Sequence, residues 1–455
     1  MKRLARDVSH EPAPVRIVHL GLGNFFRAHQ AWYTGRAPDA SEWGIAAFTG
    51  RRPDGARVLA PQDGLYTLIT RGPAEDSFEV VDSVSAVHTA SDHAALLDYF
   101  RDPEVALVTM TVTEAGYLHR GGALVLDDEQ VVADLAALRA DPYRAVVTVP
   151  GKLVAGLLAR QVAGAGPITL LPCDNLPGNG EVVERVVRDF AAAADGDLLE
   201  WIDEHVDFAS SMVDRITPAA SAEDERTVRE HLGMEDASPV RTEPFSEWVM
   251  SGAFPAGRPR WEDAGASIVA DVVPYEQRKL LLLNGSHSLL AYSGPLLGHE
   301  TVDEAIADPR CRAWVNELWD DATATVPLPV AEVAAYRSAL LERFDNPRMG
   351  DALARIAMDG SQKIPVRIVP VVRTERGAGR MPTGAARALA AWIAHLRGHG
   401  TPVTDVEGAS WQESAAGEAG AAVTAVLERL GIGGDADLEE LVGRYLAEFE
   451  QNRRA

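Results

Sequence analysis

VRIVHLGLGNFFRAHQAWYT, residues 15–34, is the stretch that decides the fold. Residues 15–20 are a short apolar run, Gly21 and Gly23 interrupt it, and an amphipathic stretch continues through Trp32. The order is strand, glycine turn, helix. In HLGLGNFF (19–26) the first glycine, Gly21, permits a tight turn. The second, Gly23, lets backbone N–H groups, with those of Asn24 and Phe25 behind it, approach a pyrophosphate at the helix N-terminus. Phe26 stands where a third glycine would complete the dinucleotide-binding pattern, so the turn taken alone reads equally well as an ordinary β-to-α connection.

Working outward, WGIAAFTG (43–50) is a second apolar run at a spacing suited to a βαβ unit. It leads into Thr49-Gly50-Arg51-Arg52-Pro53-Asp54. Asp54 as acceptor of the ribose hydroxyls selects NAD, whereas Arg51 or Arg52 as partner of a 2′-phosphate selects NADP, and the sequence leaves both open. Further strands are expected at 65–69, 78–84, 105–112 and 167–172, with helices at 93–100 and 151–161 between them. This alternation predicts an α/β fold with a parallel or mixed sheet. After about residue 270 the pattern turns helical, with Ala-rich amphipathic stretches at 330–342, 383–397 and 435–449. VRIVPVV (366–372) reads as the main exception, and 398–420 as a small, polar surface connection.

The 455 residues carry a formal charge of −24, which argues against a nucleic-acid binder or a protein held on anionic membranes. No apolar run approaches the roughly 20 residues that span a bilayer. MKRLARDVSHEPAP at the start lacks the apolar centre of a secretory signal, so a soluble, cytoplasmic protein is expected. Cys173 and Cys311 form no metal-ligand spacing, and no metal is expected. Among 43 basic residues only four are lysines, namely Lys2, Lys152, Lys279 and Lys363. A chain that takes its positive charge from Arg keeps Lys where Arg cannot serve.

One such place is Pro274-Tyr275-Glu276-Gln277-Arg278-Lys279, followed by four leucines and Asn284-Gly285-Ser286-His287. On an α-helical wheel with Lys279 at zero, Glu276 falls at about 60°, His287 at about 80° and Asn284 at about 140°. Four polar groups then share one face of an apolar segment. Oxidation of a secondary alcohol needs a base for the hydroxyl proton and donors for the developing alkoxide. Lys279 suits the first task if burial lowers its pKa, which Arg could not match. Asn284 and His287 suit the second, and Glu276, one turn earlier, is placed to relay the proton. The bland alternative is a Glu276–Lys279 pair on a core helix. Tyr275-x-x-x-Lys279 also matches the spacing of short-chain dehydrogenases, in chains about half this length with a different glycine pattern.

Together with GLGNFFRAHQAWYT (21–34), TVTEAGY (111–117), CDNLPGNG (173–180), MVDRITP (212–218), EPFSEWV (243–249) and DGSQKIP (359–365), this segment resembles the mannitol dehydrogenase family of polyol-specific long-chain dehydrogenases, which includes fructuronate reductases. The pieces cover most of residues 17–370, and Phe26 is a departure from the His that family members often carry. The resemblance implies a Rossmann-type domain over 1–270, a mainly helical substrate domain over 271–455, a cleft between them, no metal and a monomer. It implies Lys279 as general acid/base, Asn175 and Asn284 as amides on the substrate oxygen, His287 as a further contact, Asp214 on a substrate hydroxyl, and Arg355 and Lys363 at the far end of the site. Cys173, His19 and His29 are read as packing residues. The expected reaction is NAD-dependent interconversion of a polyol and its 2-ketose, of the D-mannitol/D-fructose type. The alternatives are reduction of D-fructuronate, in which Lys363 or Arg367 pairs with the carboxylate, oxidation of mannitol 1-phosphate, and a non-catalytic NAD-binding protein.

Overall fold

Six short runs, β1 (Val15–Leu20), β2 (Gly44–Phe48), β3 (Val84–His88), β4 (Leu107–Met110), β5 (Ile168–Pro172) and β6 (Val206–Phe208), pair into one sheet. Every neighbouring pair is parallel, and the order is β3-β2-β1-β4-β5-β6. This is the doubly wound arrangement whose order reverses between β1 and β4, and ligands bind beyond the carboxyl ends of the strands at such a reversal. The chain is described by a computed structural model over residues 2–7 and 11–452, in two units, Met1–Val273 and Pro274–Ala455.

Strand alternation builds two apolar layers. Val18, Leu20, Ala46 and Phe48 face one, while Ile17, Ile45 and Ala47 face the other. The second layer is covered by α1 (Asn24–Ala28) and α2 (Gln30–Arg36) through Phe26, Ala28, Ala31 and Tyr33, with Trp248 and Trp261 behind them. The first is covered by α3 (His93–Arg101), α4 (Val149–Ala163) and α5 (Asn179–Ala194). Burial on both faces explains why these strands read as unbroken apolar runs.

Two strand expectations are corrected. Of the strands expected at 65–69 and 78–84, only Val84 joins the main sheet; Tyr66–Arg71 and Asp76–Val81 pair antiparallel in a separate sheet completed by Val240–Thr242. The third strand of the main sheet is Val84–His88, an edge strand of mostly half-buried residues whose sequence, VSAVH, carries little apolar signal. A further small sheet joins β7 (Ser210–Asp214), antiparallel to β8 (Glu247–Ser251).

The second unit centres on helix Thr383–Leu396, every residue of which from Gly384 to Leu396 is buried. Six alanines in it let Gly285–Ser293, Pro309–Thr323 and Ala436–Asn452 approach closely, so a mostly apolar helix becomes the middle of a bundle. VRIVPVV is corrected here: it lies in helices Gly360–Arg367 and Val369–Gly377, which meet at Ile368. Its β-branched residues have nothing to pair with, since the described residues of this unit contain no strand. The expected surface connection at 398–420 also contains helix Gly408–Ser414 and the start of Ala419–Arg429. Among the described residues, no helix is long and apolar enough to cross a membrane.

Candidate functional site

At the reversal between β1 and β4 a cleft of about 860 Å³ opens, within the range of cofactor sites. Gly21, Gly23, Thr49, Gly50, Thr111 and Thr113 are among the residues lining it. Gly21 has φ +115°, and a Cβ there would lie 2.3 Å from the Thr111 carbonyl oxygen, so neither the backbone nor the space admits a side chain. The amides of Gly21 and Leu22 both donate to the Phe48 carbonyl, at 3.0 and 2.8 Å. Those of Gly23 and the first turn of α1 follow next in the chain, as an anion-binding turn requires. At Gly23 a Cβ would meet only the Gly21 carbonyl, at 3.6 Å, which leaves room on that side of the turn.

Phe26 does not obstruct this turn. Its ring is fully buried and stacks on His19 at 3.6 Å, in the layer under the sheet. α1 is short and ends at His29, where φ is −124°. Asn24 and Phe25, expected at the cofactor, are not on the cleft wall. The Asn24 side-chain oxygen accepts from Arg27 at 2.6 Å, and Phe25 stacks on His29 at 5.0 Å. Asp54 does line the cleft, and so do Arg51 and Arg52. His19 is held between the hydroxyls of Thr109 (2.8 Å) and Thr111 (3.0 Å), and burial lowers its pKa to about 3. Sequence reading gave no role to Thr49, Thr111 or Lys152. The Thr111 hydroxyl donates to the Gly21 carbonyl at 2.8 Å, and its place in TVTEAGY was the available signal. Lys152 lines the same cleft, and its rarity was the signal.

Beyond β5 the chain turns through Cys173-Asp174-Asn175. Tyr117, from the TVTEAGY stretch, donates its phenol to the Asp174 carboxylate at 2.5 Å, and Asp174 in turn accepts the Leu176 amide at 3.0 Å. Burial is the largest influence on both groups and raises both pKa values. Two motifs distant in sequence thus lock one turn, which leaves Asn175 exposed at its tip. The Cys173 thiol is buried and burial pushes its pKa far up, so it packs and is no nucleophile. Asp214 closes β7, buried and opposite Glu247 of β8.

The lysine segment departs from the wheel. After Val273–Arg278 the backbone forms a π-turn over Lys279–Asn284, in which the Gly285 amide donates to the Leu280 carbonyl five residues back, before α-helix resumes at Gly285–Ser293. π-Turns take one residue more than an α-turn and occur often at functional sites. The extra residue changes which side chain stands above Lys279. Leu281, Leu282 and Leu283 are buried, whereas Glu276, Lys279, Asn284 and His287 are half-exposed along one side. The fifth residue on then stands roughly where the fourth would in an α-helix, so the offset of about 140° expected for Asn284 shrinks to about 40°. The loosened backbone is tied from outside: the Trp319 indole donates to the Leu282 carbonyl at 3.1 Å, and Arg367 to the Asn284 carbonyl at 3.3 Å. The Tyr275 ring lies under the Arg278 guanidinium at 5.2 Å.

Arg367 closes the helix that begins in the DGSQK turn, and also donates to the Ser288 hydroxyl at 3.2 Å. In that turn Asp359 has φ +54°, and Gly360 has no room for a Cβ, which would lie 2.4 Å from the Trp392 indole nitrogen. Asp405, in the stretch expected to be a surface connection, accepts from the Ser361 amide (2.7 Å) and hydroxyl (2.5 Å) and so holds the turn. The Lys363 ammonium donates to the carbonyls of Ile356 and Met358, and burial lowers its pKa. Arg355 is largely exposed and pairs with Asp351 at 2.5 Å. Among the described residues no group of three or more His, Cys, Asp or Glu is placed to hold a metal ion.

Family descriptions match nearly the whole chain: "Mannitol dehydrogenase Rossmann domain" over residues 15–263 and "Mannitol dehydrogenase C-terminal domain" over 271–451. A mannitol 2-dehydrogenase of Cereibacter sphaeroides is 38% identical over 392 residues, covering 84% of this chain and 81% of that protein. A D-mannonate oxidoreductase of Escherichia coli (strain K12) is 37% identical over 401 residues, covering 86% and 81%. Among solved structures, a Pseudomonas fluorescens mannitol 2-dehydrogenase in ternary complex with NAD and D-mannitol superposes with a TM-score of 0.79 at 33% identity, covering 99% of this chain and 94% of that one.

Proposed function

The chain belongs to the mannitol dehydrogenase family, and on that premise we propose that it is an NAD-dependent oxidoreductase that interconverts a polyol and its 2-ketose, with D-mannitol and D-fructose as the reference pair. The observation that supports this reading is the π-turn over Lys279–Asn284, with Lys279, Asn284 and His287 half-exposed while Leu281, Leu282 and Leu283 between them are buried.

The cleft at the glycine turn fits a dinucleotide: it has the volume, a turn closed to side chains at Gly21 and room at Gly23. Gly23 and the first turn of α1 would hold the pyrophosphate through backbone amides, with Gly21 keeping the turn free of side chains and Asp54 toward the adenosine ribose. When bound, the nicotinamide supplies the hydride acceptor for alcohol oxidation and the donor for ketose reduction. The residues of the chain manage the proton and the oxygen. Lys279, as the neutral amine, takes the proton of the substrate hydroxyl as the carbonyl forms, and returns it in the reverse direction. The Asn284 amide donates to that oxygen as negative charge develops on it. Glu276, one turn before Lys279, passes the proton onward. His287 binds a neighbouring hydroxyl, and Arg355 and Lys363 the far end of the substrate.

A second reading has its own observation. The Arg367 guanidinium is mostly buried, has neutral acceptors only among the described residues, and has its pKa lowered by burial to about 10. A buried cation is stabilised by an anion, and the D-mannonate relative acts on an acid sugar. On this reading the substrate is D-fructuronate and its carboxylate approaches Arg367 and Lys363. NADH consumption by the wild-type chain with D-fructose, D-fructuronate and D-fructose 6-phosphate decides. Fructose turnover supports the first reading, fructuronate alone selects the second, and inactivity on all three refutes both.

A further inference from the structure

The charge at one end of the dinucleotide cleft is not what an NAD site alone calls for. Four charged side chains are among its lining residues: Arg51, Arg52 and Lys152 against the single carboxylate of Asp54. In doubly wound folds the residues just past the second strand meet the adenosine ribose, an acid there accepting the 2′-hydroxyl and an arginine accommodating a 2′-phosphate. Here β2 ends at Phe48, and the next charged residues are Arg51 and Arg52, neither of which has an ion-pair partner among the described residues. Asp54 comes later, in the first turn of the following helix, 3.9 Å from Arg57, with its side chain 71% exposed.

Lys152 brings the third cation to the same place from a different part of the fold. It sits in the first turn of α4, and its ammonium donates to the Ala90 carbonyl at 2.8 Å. The Ala90 amide donates to the Thr49 hydroxyl at 2.9 Å, directly after β2. Two hydrogen bonds thus fix a partly buried ammonium beside the strand end that carries Arg51 and Arg52. At Gly50, between Thr49 and Arg51, a Cβ would have nothing within 4 Å, so the cleft wall is open beside the two arginines.

We propose that Arg51, Arg52 and Lys152 form a 2′-phosphate subsite, and that the chain binds NADPH at least as tightly as NADH. The two arginines supply forked donors for the phosphate oxygens, and Lys152 a fixed point charge beside them. This rests on the dinucleotide reading of the cleft and adds to it the phosphate that the cleft accepts.

The test is direct titration of the full chain with NADPH and with NADH, followed by nucleotide fluorescence, for wild type, Arg51→Ala/Arg52→Ala and Lys152→Met. Wild type is expected to bind NADPH with a Kd equal to or below that for NADH. The double variant should lose about tenfold or more in NADPH affinity, the loss of one to two charged hydrogen bonds, while NADH affinity stays within about threefold. Lys152→Met should weaken NADPH more than NADH. NADPH binding over tenfold weaker than NADH in wild type, or equal losses for both nucleotides in the double variant, overturns the proposal and leaves the dinucleotide cleft standing. Binding of neither nucleotide overturns the proposal together with the reading beneath it.

Discussion

The glycine turn at 19–26 and the lysine turn at 279–287 both interrupt regular structure to present chemistry, and they do so by opposite means. The first removes side chains. Gly21 takes a left-handed φ against the Thr111 carbonyl, which keeps the turn free of side chains there, and its partners come from strand ends far apart in sequence. The second keeps its side chains and adds a residue. One extra position in the helix shifts Asn284 into the place that Leu283 would otherwise occupy above Lys279. A backbone site announces itself through residue type, because few residues other than glycine tolerate φ +115°. A register site does not, because an apolar run such as KLLLLN suits an α-turn and a π-turn equally.

The sharpest way to break this comparison is to exchange Leu283 and Asn284. If the segment were plain α-helix, Leu283→Asn/Asn284→Leu would bring the amide closer to Lys279 and keep activity. With the π-turn, kcat should fall about 10²–10³-fold, the usual loss on removing a donor to a developing oxyanion. NADH binding measured on the same sample reports whether the first unit remains folded.

A smaller effect is expected at the other turn. Gly21→Val forces a β-branched side chain into φ +115° and against the Thr111 carbonyl. The strained backbone alone costs about 1–3 kcal/mol, and the displaced turn should weaken NADH binding. Denaturant unfolding and nucleotide titration measure the two losses. Unchanged values for both would mean that the turn is not set by Gly21.

The smallest effect is a slope. His19 lies beneath the glycine turn with its pKa lowered by burial to about 3, against an ordinary value of 6.5. Between these two values the unfolded chain takes up a proton that the folded chain refuses. Its contribution to stability is therefore full above pH 6.5 and is lost as pH falls toward 3, by up to about 1.4 kcal/mol per pH unit. His19→Gln should flatten the dependence of unfolding free energy on pH between 6.5 and 4.5. An identical slope in the variant would rule out this source.

The same contrast explains what could be read from the sequence. The central strands were legible because each is apolar on both faces, and the glycine turn because of its residue types. Val84–His88 was missed since an edge strand needs only one buried face. VRIVPVV has the composition of a strand, but strand formation needs a neighbour, and the described part of its unit offers none. Asp405 was passed over because its partner, Ser361, is 44 residues away, a distance no local pattern reveals. Tyr117 and Asp174 belong to motifs that were both recognised, yet their hydrogen bond became visible only when the sheet brought β4 and β5 side by side.

The central claim is that Lys279 in the π-turn moves the substrate proton. Its most direct test is kcat for D-mannitol oxidation by wild type and Lys279→Ala, with the Kd for NAD measured on both. The account predicts a fall of about 10²–10⁴ in kcat, as expected on removing a general base, with nucleotide affinity unchanged. A variant that turns over within about twofold of wild type would contradict it.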